Sequence, residues 1–183
     1  VYPAMRAVLK SKSLVRRFLS WCYRSPFAMV ICTQDGSGVE PWLDEALDPD
    51  VPVKKWVNGV DTSGYNNDEL NMLYQNYKIP NNKFIILTIG KLEVIKGIYE
   101  YLDGFALANR KTGGALHAVV VGFGDQYGSV VKLLQEERFI ESVTLIPRLP
   151  HAVIFSLHHI SDIYVSMNRL ANLTNANNEA MVS

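Results

Sequence analysis

With 183 residues, the chain can form one full domain, or one domain and a piece of another. Lysine and arginine total 18 and so do aspartate and glutamate, so no overall field draws the chain to nucleic acid or an anionic membrane. Cys22 and Cys32 are too few for a disulfide framework or a metal site and suit a reducing, cytoplasmic compartment. No apolar run approaches the roughly 20 residues that span a bilayer.

Residues 5–23 (MRAVLKSKSLVRRFLSWCY) place Ala7, Leu14, Val15, Phe18, Leu19 and Cys22 at helical spacing, with basic residues between them. Arg6, Lys10, Lys12, Arg16 and Arg17 then form a solvated helix face, a reading favoured over peripheral contact with a membrane surface. "AMVICT" (28–33) reads as a short buried strand. The Gly-, Pro- and acid-bearing stretch 34–52 reads as an exposed connection. A helix is predicted over 68–77, capped by Asn67 or Asp68 and ending before "IPNN".

From residue 83 the rhythm is strand then helix, repeatedly. "KFIILTIG", "HAVVVGFG", "SVTLIP" and "DIYVSM" are strands; "GIYEYLDGFALANR", "SVVKLLQEERF" and "AVIFSLHH" are the helices between them. Strands that are continuously apolar, rather than alternating, are covered on both faces. That indicates a parallel sheet with crossover helices, an α/β doubly wound, Rossmann-like domain. The chain starts at Val1 and stops at Ser183, just after "NNEAMVS" opens a helix, so the expectation is a domain incomplete at both ends.

Ligands of such sheets bind outside the carboxyl ends of the strands. After the first of these strands stand Gly90, Lys91 and Lys96. Each lysine alone reads as a solvated charge. As a pair ahead of a helix start, where cations are unfavourable unless an anion joins them, they point to a phosphate. "GFGD" (122–125) resembles the start of a dinucleotide fingerprint, but Tyr127 holds the third glycine's place, and a tight strand-to-helix turn is the favoured reading. His117, His151, His158 and His159 show no metal-ligand spacing and read as core or surface histidines, so no metal site is expected. Asn172-Leu173-Thr174 fits the glycosylation pattern, but no secretory signal accompanies it. Glu179 either complements a helix N-terminus or accepts hydrogen bonds from vicinal sugar hydroxyls.

In order, "KKWVNGVD", "ILTIGKLEVIKGIYEYLDGFA", "AVVVGFGD", "VTLIPRLPH", "SDIYVSMN" and "NLTNANNEAM" resemble the donor-side half of retaining glycosyltransferases of the glycogen-synthase-like family four. The resemblance covers about residues 20–183 and implies the C-terminal half of a two-domain glycosyltransferase-B fold. Residues 1–34 would end the acceptor-side domain, 35–60 would be a linker, and 61–183 would bind the nucleotide sugar, with Asn58–Asp61 opening that second domain. Lys91 falls where the family usually has arginine, and Lys96 on its lysine before glycine; with Gly90 they would clamp the donor diphosphate. The resemblance places Arg148 beside the base, Asn175, Ala176 and Asn177 in a loop facing the phosphate, and Glu179 on the ribose hydroxyls.

Three departures stand out. Ala171 replaces a glutamate near the transferred sugar, Lys91 lacks arginine's fork, and Asn178 is polar where an aliphatic residue is usual. The implied activity is transfer of a hexose, with retention, from a nucleotide-diphosphate sugar to an unknown acceptor (a glycan, lipid or small molecule), without metal or other cofactor. This stretch alone would bind the donor without turning it over. The alternatives are a non-catalytic nucleotide-sugar-binding or regulatory module of the same fold and, less favoured, an NAD-dependent oxidoreductase resting on "GFGD".

Overall fold

The computed structural model describes residues 13–34, 40–60, 64–139, 141–169 and 173–183. They fall into two compact units: one comprises the chain to Gly59 with Ala171–Thr174, the other Val60–Leu170 with Asn175–Ser183. The division after Gly59 falls inside the Asn58–Asp61 segment expected to open the second domain. Among the described residues, no helix is long and apolar enough to cross a membrane.

The first unit is strand–helix–strand, preceded by helix α1 (Leu14–Tyr23). Strands β1 (Val30–Gln34) and β2 (Val53–Val57) pair in parallel, Val30 opposite Val53, with helix α2 (Glu40–Ala46) between them. Leu43, Ala46 and Leu47 are buried there against Tyr23, Val30 and Cys32. The stretch 34–52, read from composition as an exposed connection, thus carries a helix. Pro41 misled that reading: it stands at the start of α2, where a missing N–H costs nothing. Of the basic face proposed for α1, Arg6, Lys10 and Lys12 lie outside the described residues, while Arg17 is exposed.

The second unit holds a four-stranded parallel sheet: β3 (Phe84–Ile89), β4 (Leu116–Val121), β5 (Val143–Ile146) and β6 (Ile163–Tyr164), in the spatial order β5-β4-β3-β6. Its helices are α3 (Asn67–Asn76), α4 (Ile98–Lys111), α5 (Tyr127–Leu133), α6 (His151–His159) and α7 (Asn175–Val182). The cap of α3 is Asn66, one residue ahead of the expected pair; its side chain accepts from the Asp68 N–H at 2.8 Å. The helix expected to run through Phe139 ends at Leu133. A tight turn at Glu137–Phe139 then drops Phe139 into the core, where it is 1% exposed.

Strand period two divides the core. Ile85, Leu87, Val119, Val121 and Ile146 face Leu73 of α3 and Val153, Ile154 and Leu157 of α6. Ile86, Ala118 and Val120 face Ile98, Tyr101, Leu102 and Phe105 of α4, with Val130 of α5. Both faces are therefore covered, as the unbroken apolar strands required. The α4 residues recur at three- and four-residue steps, and each buried side chain contributes about 1.5–3 kcal/mol relative to exposure. Tyr101 keeps its hydroxyl satisfied by donating to the Ile86 carbonyl at 2.7 Å, and burial holds its pKa far above the ordinary value.

His117 is the polar exception within β4. It is 4% exposed, and its Nε2 lies 2.9 Å from the Thr144 hydroxyl on β5. Burial, and then the nearby Lys83 cation, lower its pKa from 6.5 to about 4. Below 6.5 the unfolded chain takes up a proton that the folded chain refuses, so stability falls with pH until about 4 and levels off beneath it. Full development of this effect costs about 1.4 kcal/mol per pH unit inside that window. His158, lowered in the same direction by its burial, adds to the slope. Urea denaturation between pH 7 and 4 should show this loss, and His117→Gln should flatten it without abolishing it. An unchanged slope in the variant would remove His117 as its source.

Candidate functional site

Three strand ends meet at one edge of the sheet. Hydrogen bonds tie them together: Gly90 N–H donates to the Val121 carbonyl at 3.0 Å, Leu92 N–H to Phe123 at 3.3 Å, and Gly122 N–H to Ile146 at 2.9 Å. The loop after β3 therefore lies against the loop after β4. The glycines of "GFGD" are accounted for by this approach. A Cβ on Gly122 would collide with the Gly90 carbonyl oxygen, and one on Gly124 would stand 2.6 Å from that of Leu92. The motif serves loop packing here, and no dinucleotide is needed to explain it.

Above these loops opens a cleft of about 660 Å³, within the range of small-molecule sites. Gly90, Lys91 and Glu93 line it from β3, Phe123 and Asp125 from β4, and Arg148 from β5, with Ile154 of α6 at its wall. Gly90, Lys91 and Arg148, singled out on separate strand ends of the sequence, are brought to one space. The Lys91 side chain is 75% exposed, its ammonium 3.9 Å from a Glu93 carboxylate oxygen. At that separation and exposure the pair holds the lysine only weakly. Arg148 is exposed, and its guanidinium carbon lies 5.6 Å from the Phe123 ring centre.

Lys96, Asn175, Ala176, Asn177 and Glu179 are not among the residues lining this cleft. Lys96 closes a short 3-10 turn (Val94–Lys96) that passes through Gly97, at φ 73°, into the N-terminus of α4. Asn175–Asn177 open α7, and the Asn177 side-chain oxygen accepts from the Tyr164 hydroxyl at 3.3 Å. Ala171 and Asn172 lie outside the described residues.

Glu179 is the fifth residue of α7, beyond the first turn, so complementing the helix N-terminus does not account for it. It is only 9% exposed. Its Oε1 lies 2.9 Å from Nε2 of His151, the first residue of α6. Its charge is felt by two further side chains. Tyr164 is pushed up to about 12 by burial and then by the Glu179 carboxylate. Burial lowers His158, and Glu179 partly opposes that shift. The His158 and Tyr164 rings lie 5.4 Å apart, and His158 Nε2 has no hydrogen-bond partner among the described residues. The sequence singled out Glu179 but read His151 and His158 as core or surface histidines, and no motif spacing links His151 to a carboxylate 28 positions away. No group of three His, Cys, Asp or Glu side chains among the described residues could hold a metal ion.

The chain has counterparts among solved structures. It is similar to Anabaena HepE, solved with UDP and glucose (TM-score 0.68, 16% identity, 93% of this chain and 46% of that one). A sucrose-phosphate synthase from Thermosynechococcus elongatus gives 0.66 at 16% identity, covering 97% of this chain and 45% of that one. TarM gives 0.66 at 14%, covering 91% and 30%. At such identities the likeness is one of fold, of glycosyltransferase-B type, and the chain spans less than half the length of each. No curated protein matches the chain significantly. The family model described as "Glycosyl transferases group 1" matches residues 73–183, more than half of the sequence and all of the four-stranded sheet. The chain belongs to the glycosyl transferases group 1 family.

Proposed function

We propose that this chain forms the donor side of a retaining hexosyltransferase of family four, holding a nucleotide-diphosphate sugar whose hexose passes to a separate acceptor. The observation that carries this reading is the convergence of Gly90, Lys91 and Arg148 on one open cleft at the carboxyl ends of parallel strands. HepE, of similar fold, was solved with UDP and glucose, which supports a nucleotide sugar as donor. Sugar transfer leaves negative charge on the departing diphosphate. Lys91 and Lys96 stand in the segment that leads from β3 into α4, and a helix N-terminus itself favours an anion. Fixed cations stabilise the leaving group without a divalent metal. Arg148, beside the Phe123 ring, offers a planar face to a base, and Glu179 a carboxylate to the ribose.

Lys91 in place of arginine gives a point charge without bidentate geometry, so the diphosphate is held by charge more than by direction. Affinity should then fall steeply as salt is raised. Lys96→Ala should weaken nucleotide-diphosphate binding and lessen that salt dependence. Loss of one charge-assisted contact is worth about 1.5–3 kcal/mol, roughly ten- to a hundredfold in affinity. Glu179→Gln should cost less, since an amide oxygen still accepts one ribose bond. Calorimetric titration of UDP, GDP and ADP into the full chain and both variants measures this. Binding by wild type with unchanged affinity in Lys96→Ala would take that lysine out of the site.

A further inference from the structure

The Glu179 carboxylate is nearly out of water, its side chain 11% exposed, and a buried carboxylate is costly unless donors meet it. An ionised carboxylate only accepts, so the hydrogen in its 2.9 Å contact with His151 sits on the histidine Nε2. Its other polar neighbours are otherwise engaged or placed. The Tyr164 hydroxyl is directed to the Ile89 carbonyl at 3.5 Å and to Asn177 at 3.3 Å. His158 meets Tyr164 ring to ring.

His151 is also well placed to link two parts of the site. It directly follows the loop carrying Arg148, and Ile154 of the same helix lines the cleft. Its ring packs edge-on against Phe155, with centres 5.6 Å apart, which limits its rotation.

We propose that His151 is a positioning residue for nucleotide recognition, its Nε2–H holding Oε1 of Glu179 so that the carboxylate presents its remaining lone pairs to the vicinal 2′- and 3′-hydroxyls of a ribonucleoside diphosphate. This rests on the reading of Glu179 as the ribose acceptor. The terminal torsion of a glutamate is broad, and a free carboxylate turns between many orientations. With Oε1 engaged by the imidazole, Oε2 keeps both lone pairs and Oε1 keeps one, and the plane of the group is set. His151 thereby sharpens the discrimination of ribose from 2′-deoxyribose and has no part in stabilising the departing diphosphate.

The test is calorimetry on the full chain with UDP, GDP and ADP, then with the 2′-deoxy counterpart of the one bound best. Wild type should prefer the ribonucleotide. In His151→Ala the ribonucleotide should weaken by about two- to tenfold, the worth of one net hydrogen bond, while the deoxynucleotide hardly changes. His151→Gln, whose amide can still donate to the carboxylate, should restore the preference. Glu179→Ala should abolish it. Loss of preference in Glu179→Ala with full preference in His151→Ala would overturn the positioning role and leave the ribose reading standing. Equal loss in the alanine and glutamine variants at position 151 would also overturn it. No effect of Glu179→Ala, or no binding of any of the three nucleotides by wild type, would overturn the ribose reading and the proposal with it.

Discussion

The constraint on which the site depends is the close approach of two loop backbones at the edge of the sheet. The stretch 90–92 lies against 122–124 with carbonyl oxygens where Cβ atoms would otherwise stand, and backbone hydrogen bonds run from one loop to the other. This contact keeps the strand ends of β3, β4 and β5 at a common level, and the cleft opens above them. Bulkier residues at 122 or 124 would push the loops apart and separate Lys91 from Arg148. The rigid sheet beneath, with Val119 and Val120 wholly buried, supplies the fixed base that a binding loop needs.

Charge of both signs is distributed around this edge, which bears on the proposed nucleotide. On the β3 side stand Lys91, paired weakly with Glu93, and a helix N-terminus; Arg148 leads into α6, and on the α6–α7 side stands the nearly buried Glu179 with His151. A carboxylate there would repel a phosphate placed next to it but accept sugar hydroxyls readily. The two ends of a nucleoside diphosphate make opposite demands of this kind.

Much of this architecture was legible because parallel strands leave a strong mark: "FIILTI" and "HAVVV" are apolar without alternation, and they lie within a sheet covered on both faces. The short β6 was harder. Only Ile163 and Tyr164 pair with β3, and Ile163 is 54% exposed, so most of "DIYVSM" lies outside the ladder. Helix α2 was hidden by its own proline and its acidic residues, since composition does not separate a proline that opens a helix from one that breaks it. Of the site, Gly90, Lys91 and Arg148 were legible because fold class fixes where strand ends converge. The partnership of His151 with Glu179 was not, since it depends on how α6 and α7 pack and on no local pattern. One of the two readings of Glu179 put it in a first helical turn that it does not occupy, and its burial gives a stronger reason to notice it.

The measurement that bears most directly on this account is a crystal structure of the full chain with a bound nucleoside diphosphate. The account predicts the phosphates over Gly90 and between the Lys91 and Lys96 ammonium groups, the base beside Arg148, and both ribose hydroxyls within hydrogen-bond distance of Glu179. A nucleotide bound away from the strand ends, for instance in the groove between Arg110 and Arg138, would contradict it. So would a diphosphate at the strand ends with its ribose turned away from Glu179.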